Sequence, residues 1–456
     1  MADILDEDGQ RRLESYFDAL GDILGDVRRK ASFSMYCTGL MLDGERKSME
    51  PIAARLSGNP KDTERAHDHI QHMVADGKWS DRAVRRFAAR EGIAAVTAGG
   101  PVESWILDDT GFLKQGDHSV AVQRQYTGSA GKTANCQVAV SLTIATAKDH
   151  VPVDFELYVP QCWIDDPERR AKAKIPADMV FRTKLELALV MIDRALEDDT
   201  PKGVVLDDSA YGDSSEFRFQ LRARGLDYAV GIKPNTKVWR IDSLLRRRGE
   251  PLSARELAKQ LGPKAFRRYT WKEGTNHSLH SRFARIRVVP FHDDGVDPAE
   301  REDVWLVVEW PANEAAPTKF TFATMPRKMP VQRLVRTLKE RWRTERVYED
   351  LKGELGLDHY EGRSYPGWNH HVSCVLACNA FIQSERLRAF PPSATWTRRS
   401  PTDSYKTRAP FRRLLHHGTP RDRSRHDTMV AALPDMSLRP SQGPELCPSR
   451  KSESRR

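Results

Sequence analysis

The chain has 456 residues, 39% hydrophobic and 30% charged, enough for two or three domains with a real core. No apolar run reaches the 18 or so residues of a membrane span, Met1 to Asp8 lacks the basic-then-apolar pattern of a secretory leader, and six unevenly spaced cysteines make no disulfide framework, so a cytoplasmic setting is expected. The formal charge of +9 sits almost wholly after Phe390, where 14 Lys/Arg face 6 Asp/Glu, so any nucleic-acid binding by the rest must rely on local patches and metal ions.

Residues 9 to about 96 look helical. Leu13, Phe17, Leu20, Ile23 and Leu24 give helical spacing over Arg11–Arg29, and Asp62–Asp76 and Ser80–Glu91 read likewise. Thr97–Gly100 is a boundary. Ser104–Asp109 then reads as a strand ending in carboxylates, Cys136–Thr146 and Val151–Val159 as a hairpin, and Ala177–Glu197 as a helix. Gly203–Asp208 is a second strand ending in carboxylates, followed by a helix over Asp213–Gly225 and a strand over Leu226–Lys233. This order predicts an α/β fold, a mixed sheet flanked by helices. From about 234 to 325 the pattern is β-rich, with strands at Phe283–Phe291, Val304–Trp310 and Lys319–Thr324. Pro330–Glu354 reads as one long amphipathic helix and Trp368–Arg388 as a largely apolar one. Residues 391–456, holding nine of the 27 prolines and many Arg and Ser, form a basic tail whose composition predicts disorder.

Three carboxylate-bearing places carry chemistry. Leu107-Asp108-Asp109-Thr110-Gly111 and Leu206-Asp207-Asp208-Ser209-Ala210-Tyr211-Gly212 each end a strand and enter a glycine-containing turn, where α/β folds place ligands. Hard carboxylates from neighbouring strands can hold Mg²⁺, although Asp at such positions also caps turns and helices. The third place is the helix around Glu345, flanked at four and seven residues by Arg341 and Lys352 on one face, a carboxylate between two cations that suits a phosphodiester or makes a solvated ion pair.

Acid on a first strand, acid on a later strand, then Glu on a helix is the order of an RNase H-like core. With Arg341, Glu345 and Lys352 fitting R-x3-E-x6-K, and Asp108-Asp109-Thr110-Gly111, Asp208-Ser209-Ala210-Tyr211-Gly212 and Glu354-Leu355-Gly356-Leu357-Asp358-His359 as flanks, the chain resembles the DDE transposases of bacterial insertion sequences that carry a β-rich insertion. The resemblance covers roughly residues 46–388. It departs at Leu338, where that group has Tyr. It implies Asp108, Asp208 and Glu345 as catalytic metal ligands, with Asp109 and Asp207 as alternatives for their neighbours. It implies Arg341 and Lys352 as DNA phosphate contacts, and Mg²⁺, replaceable by Mn²⁺, as cofactor. Double-stranded DNA, as terminal inverted repeats and target, is the implied partner of a homodimer in the nucleoid-associated cytoplasm. A DNA-binding relic without catalysis and a structure-selective nuclease on the same fold are the competing readings.

Other signals have plainer readings. Gly128-Ser129-Ala130-Gly131-Lys132-Thr133 lacks the first Gly of a phosphate loop and reads as a hairpin turn. His370, Cys374 and Cys378 read as buried helix residues, and His67, His69 and His72 as a solvated face. The basic Arg82–Arg90 stretch in the N-terminal region (1–96) is either an end-recognising helix or a solvated face.

Overall fold

A computed structural model describes residues 7–241, 250–273, 278–291 and 302–390; the basic tail expected after Phe390 lies outside them. The chain begins with helices α1 (Glu7–Leu24), α2 (Val27–Met41), α3 (Met49–Leu56), α4 (Pro60–Gln71) and α5 (Asp81–Thr97), with a π turn at His72–Asp76. The single helix expected over Arg11–Arg29 breaks because Gly25 takes a φ of +67° and the Asp26 side chain accepts from Arg29 N to cap α2.

Strands β1 (Val102–Leu113), β2 (Gln123–Thr127), β3 (Lys132–Thr146) and β4 (His150–Tyr158) follow, then short helices α6 (Gln161–Ile164) and α7 (Pro167–Lys172) and the longer α8 (Lys184–Glu197). Helix α8 starts seven residues later than expected because Thr183 and Glu186 form a capping box. Next come β5 (Val204–Asp207), α9 (Ser209–Gly212), α10 (Ser215–Ala223) and β6 (Tyr228–Ile232). The β-rich segment holds β7 (Lys237–Arg240), β8 (Leu252–Ser253), α11 (Ala254–Leu261), β9 (Arg267–Glu273), β10 (Ser278–Pro290), β11 (Val304–Trp310) and β12 (Lys319–Ala323). Helices α12 (Val331–Lys339), α13 (Trp342–Leu355) and α14 (Tyr365–Ala389) close the described chain. The long helix expected over 330–354 is thus two, parted at Glu340–Arg341.

Among the described residues the strands form one mixed sheet in the order β2-β3-β1-β5-β6-β12-β11-β10-β7-β8, with β4 also on β3 and β9 on β10. Pairs β1–β5 and β5–β6 are parallel, the others antiparallel. The β-rich segment therefore extends the sheet, since β12 pairs with β6.

Helices cover both faces. Trp105, Leu107, Val205 and Val230 pack with Leu187, Met191 and Ile192 of α8 and with Phe217 and Leu221 of α10. On the opposite face, Ile106, Leu206 and Ala229 pack with Leu334 and Val335 of α12, while Phe112 and Ala139 join Val347 and Leu351 of α13 and the buried α14. Helix α14 is buried over nearly its whole length from Gly367 to Phe381 and shares its core with α1, α2, α4 and α5. Arg85 of α5, only 2% exposed, lies inside that packing, paired with Asp81 and Asp154, so this member of the basic stretch faces protein. One close approach fixes the turn after β5: a Cβ on Gly212 would lie 2.2 Å from Gly231 O, so the Ser209–Gly212 turn seats directly on β6.

Helix α14 carries a buried proton-sensitive group. His371 shares a 2.9 Å hydrogen bond with Tyr36 Oη and a 3.1 Å contact with Leu357 O, and burial lowers its pKa from 6.5 to about 4. Between those values the unfolded chain binds a proton that the folded chain excludes. Stability from this group is thus complete above pH 6.5 and falls as pH drops toward 4, by about 3 kcal/mol in all. Denaturant unfolding at pH 7.5 and pH 5 should show a smaller loss on acidification in His371→Gln than in the unmutated protein.

Candidate active site

Asp108 and Asp109 lie inside β1, which runs four residues beyond them instead of ending there as expected. Alternation sends the two side chains to opposite faces. On one face Arg341 Nη1 donates to Asp108 Oδ2 at 2.8 Å; on the other Lys184 Nζ of α8 donates to Asp109 Oδ2 at 2.7 Å. The parallel register Ile106↔Leu206 carries the same alternation to β5, setting Asp207 with the Asp109 face and Asp208 with the Asp108 face. Asp208 follows β5 and caps α9, accepting from Ala210 N at 2.8 Å. Asp207 is 4% exposed, and neither carboxylate oxygen has a hydrogen-bond partner among the described residues; burial first, then Asp208, raises its pKa well above the carboxylate range.

Arg341 occupies the break between α12 and α13. Its Nη2 lies 3.7 Å from Glu345 Oε1, and Asp108, Asp208 and Glu345 together outweigh the burial that disfavours its charge. The guanidinium thus pairs with Asp108 and Glu345 and feels the charge of Asp208. Glu345, in the first turn of α13, keeps a 67% exposed side chain. Among the described residues no three His, Cys, Asp or Glu side chains form a group that could hold a metal; Arg341 neutralises the carboxylates instead. Burial pushes the Asp108 carboxyl up to about 6, Asp208 and Asp109 push the same way, and Arg341 and the Asp109 backbone N–H oppose them.

Lys352 reaches β1 as well, donating to Thr110 Oγ1 and Gly111 O at 2.8 Å each and to Ser129 Oγ at 3.3 Å; burial lowers its pKa. Leu338, at the Tyr position of the motif, packs on the core face with Leu334 and Val335.

Several site residues escaped sequence reasoning. Tyr348 Oη hydrogen-bonds Ser141 Oγ at 2.6 Å, and Ser141 is the register partner of Asp108, so this contact pins α13 to the sheet beside the acids. Its place three residues after Glu345 was a usable signal. Ser129 belongs to the turn set aside as a false phosphate loop; that turn does join β2 to β3, and Ser129 Oγ also accepts from Gly111 N at 3.2 Å. No local pattern points to Lys184. Elsewhere, His370 is stacked on Trp79 with a 2.8 Å contact to Val74 O, and Cys374 and Cys378 are buried beside Cys37 of α2.

Comparisons with known proteins identify the family of the chain. The model of the family described as DDE superfamily endonuclease matches residues 19–278, taking in both aspartate pairs, and that of the transposase DDE domain matches residues 182–375, taking in Arg341, Glu345 and Lys352. A probable transposase for insertion sequence element IS701 from Microchaete diplosiphon is 29% identical over 224 residues, 49% of this chain and 54% of that protein. The chain thus spans about half the length of the curated relative it matches. No described helix is long and apolar enough to cross a membrane.

The Asp108–Arg341 pair should reveal itself through pH. At pH 7.5 Asp108 is ionised, and Arg341→Gln should cost about 1–3 kcal/mol, between the ranges for exposed and buried pairs because Arg341 is a third exposed. At pH 5, below a carboxyl pKa of about 6, Asp108 holds a proton and the cost should shrink. Urea unfolding of both proteins at the two pH values checks this; an equal cost at both would mean that Arg341 does not stabilise an ionised Asp108.

Proposed function

Starting from the fact that the chain belongs to the DDE superfamily endonucleases, we propose that it is the transposase of an insertion sequence, cutting DNA at the element's terminal inverted repeats and joining the freed end to a target. The observation that carries this reading is the placement of Asp108 and Asp208 on one face of adjacent parallel strands, with Arg341 pairing Asp108 and Glu345 on that face.

The chemistry of the donor set, though not its present spacing, suits a hard divalent cation. The three residues offer only carboxylate oxygens, and the charge of Asp108 is suppressed by burial and by neighbouring acids, a penalty that a cation would relieve. Asp108, Asp208 and Glu345 would hold Mg²⁺, or Mn²⁺ in its place, with Glu345 free to turn inward from its exposed position. Bound there, the metal would supply Lewis acidity to a phosphodiester and lower the pKa of a nucleophilic water or 3′-hydroxyl. Asp109 and Asp207, on the other face, are not ligands in this reading. Once Arg341 no longer neutralises the carboxylates, its guanidinium can turn to a DNA phosphate, for which its planar donor fork is suited. Lys352, already beside Thr110 and Gly111, offers a second cation to the same strand. Double-stranded DNA is the substrate, and two element ends held together call for a homodimer.

Glu345→Gln should abolish metal-dependent cleavage of DNA bearing the gene's own flanking ends while leaving binding to those ends intact, because an anionic ligand is lost and the cations stay. Gel-shift and cleavage assays side by side test this, and normal cutting by the variant would refute the site. Lys352→Ala should weaken both end binding and cutting; unchanged binding would remove its phosphate role. Cutting by the unmutated protein without regard to ends would favour a structure-selective nuclease.

A further inference from the structure

The N-terminal helices meet the helix of Glu345 at a buried cation. Lys47, in the connection between α2 and α3, is only 4% exposed, and its ammonium donates to Leu40 O at 2.6 Å and to Glu354 O. Leu40 lies in the last turn of α2 and Glu354 in the last turn of α13. The last four carbonyls of a helix have no partner inside it and carry the negative end of its dipole. At α2, Thr38 O accepts from Leu42 N at 3.0 Å; at α13, Lys352 O accepts from Gly356 N at 3.2 Å. Lys47 serves one further carbonyl at each end, so a single cation caps two helices that come from opposite ends of the described chain.

The surroundings are shaped for this contact. Gly356 ends α13 with a φ of +65°, and a Cβ there would lie 2.6 Å from Lys47 Cβ, so only glycine lets the connection sit against the end of the helix. Lys47 N donates to His359 Nδ1 at 3.0 Å, just beyond that turn. Burial, with Arg55 acting in the same direction, lowers the Lys47 pKa from 10.5 to about 8, which leaves the ammonium charged at pH 7.

Helix α13 depends on such a tie. It is parted from α12 at Glu340–Arg341, so its position along its own axis must come from contacts along its own length. Tyr348 and Lys352 bind its middle to β3 and β1, and Lys47 holds its C-terminal end. A slide or tilt of the helix would carry Glu345 and Lys352 together past Asp108 and Thr110, and small misplacements of such groups are costly.

We propose that Lys47 is a positioning residue for the site: by capping α2 and α13 with one ammonium it locks the helix of Glu345 to the N-terminal helices and keeps Glu345 and Lys352 in place against β1. It acts through α13 and touches neither metal nor DNA. The inference rests on the DNA-cutting reading above and adds to it a residue outside the acid motifs.

The test uses the full chain, DNA of the gene's own flanking ends and Mn²⁺, at a temperature well below the unfolding midpoint of each protein. Lys47→Met removes the ammonium and keeps the length of the side chain, and Lys47→Arg keeps a cation. Lys47→Gln keeps a donor without the charge and carries the test if Lys47→Met does not fold. Two readouts are taken: the rise in unfolding midpoint that Mn²⁺ produces without DNA, and the Mn²⁺ concentration that half-saturates single-turnover cleavage. Lys47→Met should lose most of the midpoint rise and need about ten-fold more Mn²⁺. Lys47→Gln should move the same way, and Lys47→Arg should stay close to the unmutated protein. A residue that only stabilised the fold would lower the midpoint and leave both Mn²⁺ readouts unchanged; that result in Lys47→Met, or in Lys47→Gln, would overturn the positioning role. So would an equal loss in Lys47→Arg, since the cation would then not be what holds the helix. A Mn²⁺ response that depends on Lys47 in a protein that cuts no DNA would refute the DNA-cutting reading and leave the tie between Lys47 and the acids standing. No Mn²⁺ response in the unmutated protein would overturn both.

Discussion

Strand β1 is covered by helices on both faces, yet it carries two adjacent carboxylates in its middle. A buried carboxylate is costly unless a cation meets it, and alternation forbids the two from sharing one. Arg341 answers Asp108 from the α13 side and Lys184 answers Asp109 from the α8 side. The positions of both helices against the sheet are thereby tied to one dipeptide. Tyr348, bonded to Ser141 opposite Asp108, adds a second tie on the α13 side.

The same constraint sorts the acids onto two faces of the sheet. Asp109 lies with α8, away from the face where Glu345 and Lys352 arrive. Asp207 is buried without a hydrogen-bond partner among the described residues, a local conflict of the kind that folds tolerate near functional sites. Asp108 and Asp208 share the Arg341 face, where a guanidinium stands in for the charge that a divalent cation would bring. Held so, the carboxylates are offset by Arg341, whose planar donor fork is of the shape that grips a phosphate.

Much of this was legible in the sequence. The order of strand acids and helix Glu, the hairpin over 136–159 and the apolar helix after Trp368 all follow from periodicities that tertiary contacts reinforce. Where expectation and structure part, a long-range contact is the cause. The helix over 330–354 has no Gly or Pro at its break, but Arg343, 6% exposed and bonded to Ala147 O, Glu340 and His150, fixes the chain there and lets Arg341 leave the helix register. The stretch Arg82–Arg90 reads as a basic face, yet Arg85 meets Asp154 from a strand 69 residues on. The turn over 128–133 was recognisable as a turn, but not as a neighbour of Lys352 in a helix more than two hundred residues away.

By itself, the sequence determined which acids are candidates for the chemistry and in what order the elements that hold them appear, because hydrophobic period and motif spacing are local properties of the chain. Tertiary structure alone decided which member of each aspartate pair lies on the Arg341 face, that Arg341 meets Asp108 and Glu345, and that Ser129 of the β2–β3 turn meets Lys352. Those outcomes depend on strand register and on which helix covers which face, and both are settled only when distant segments pack together.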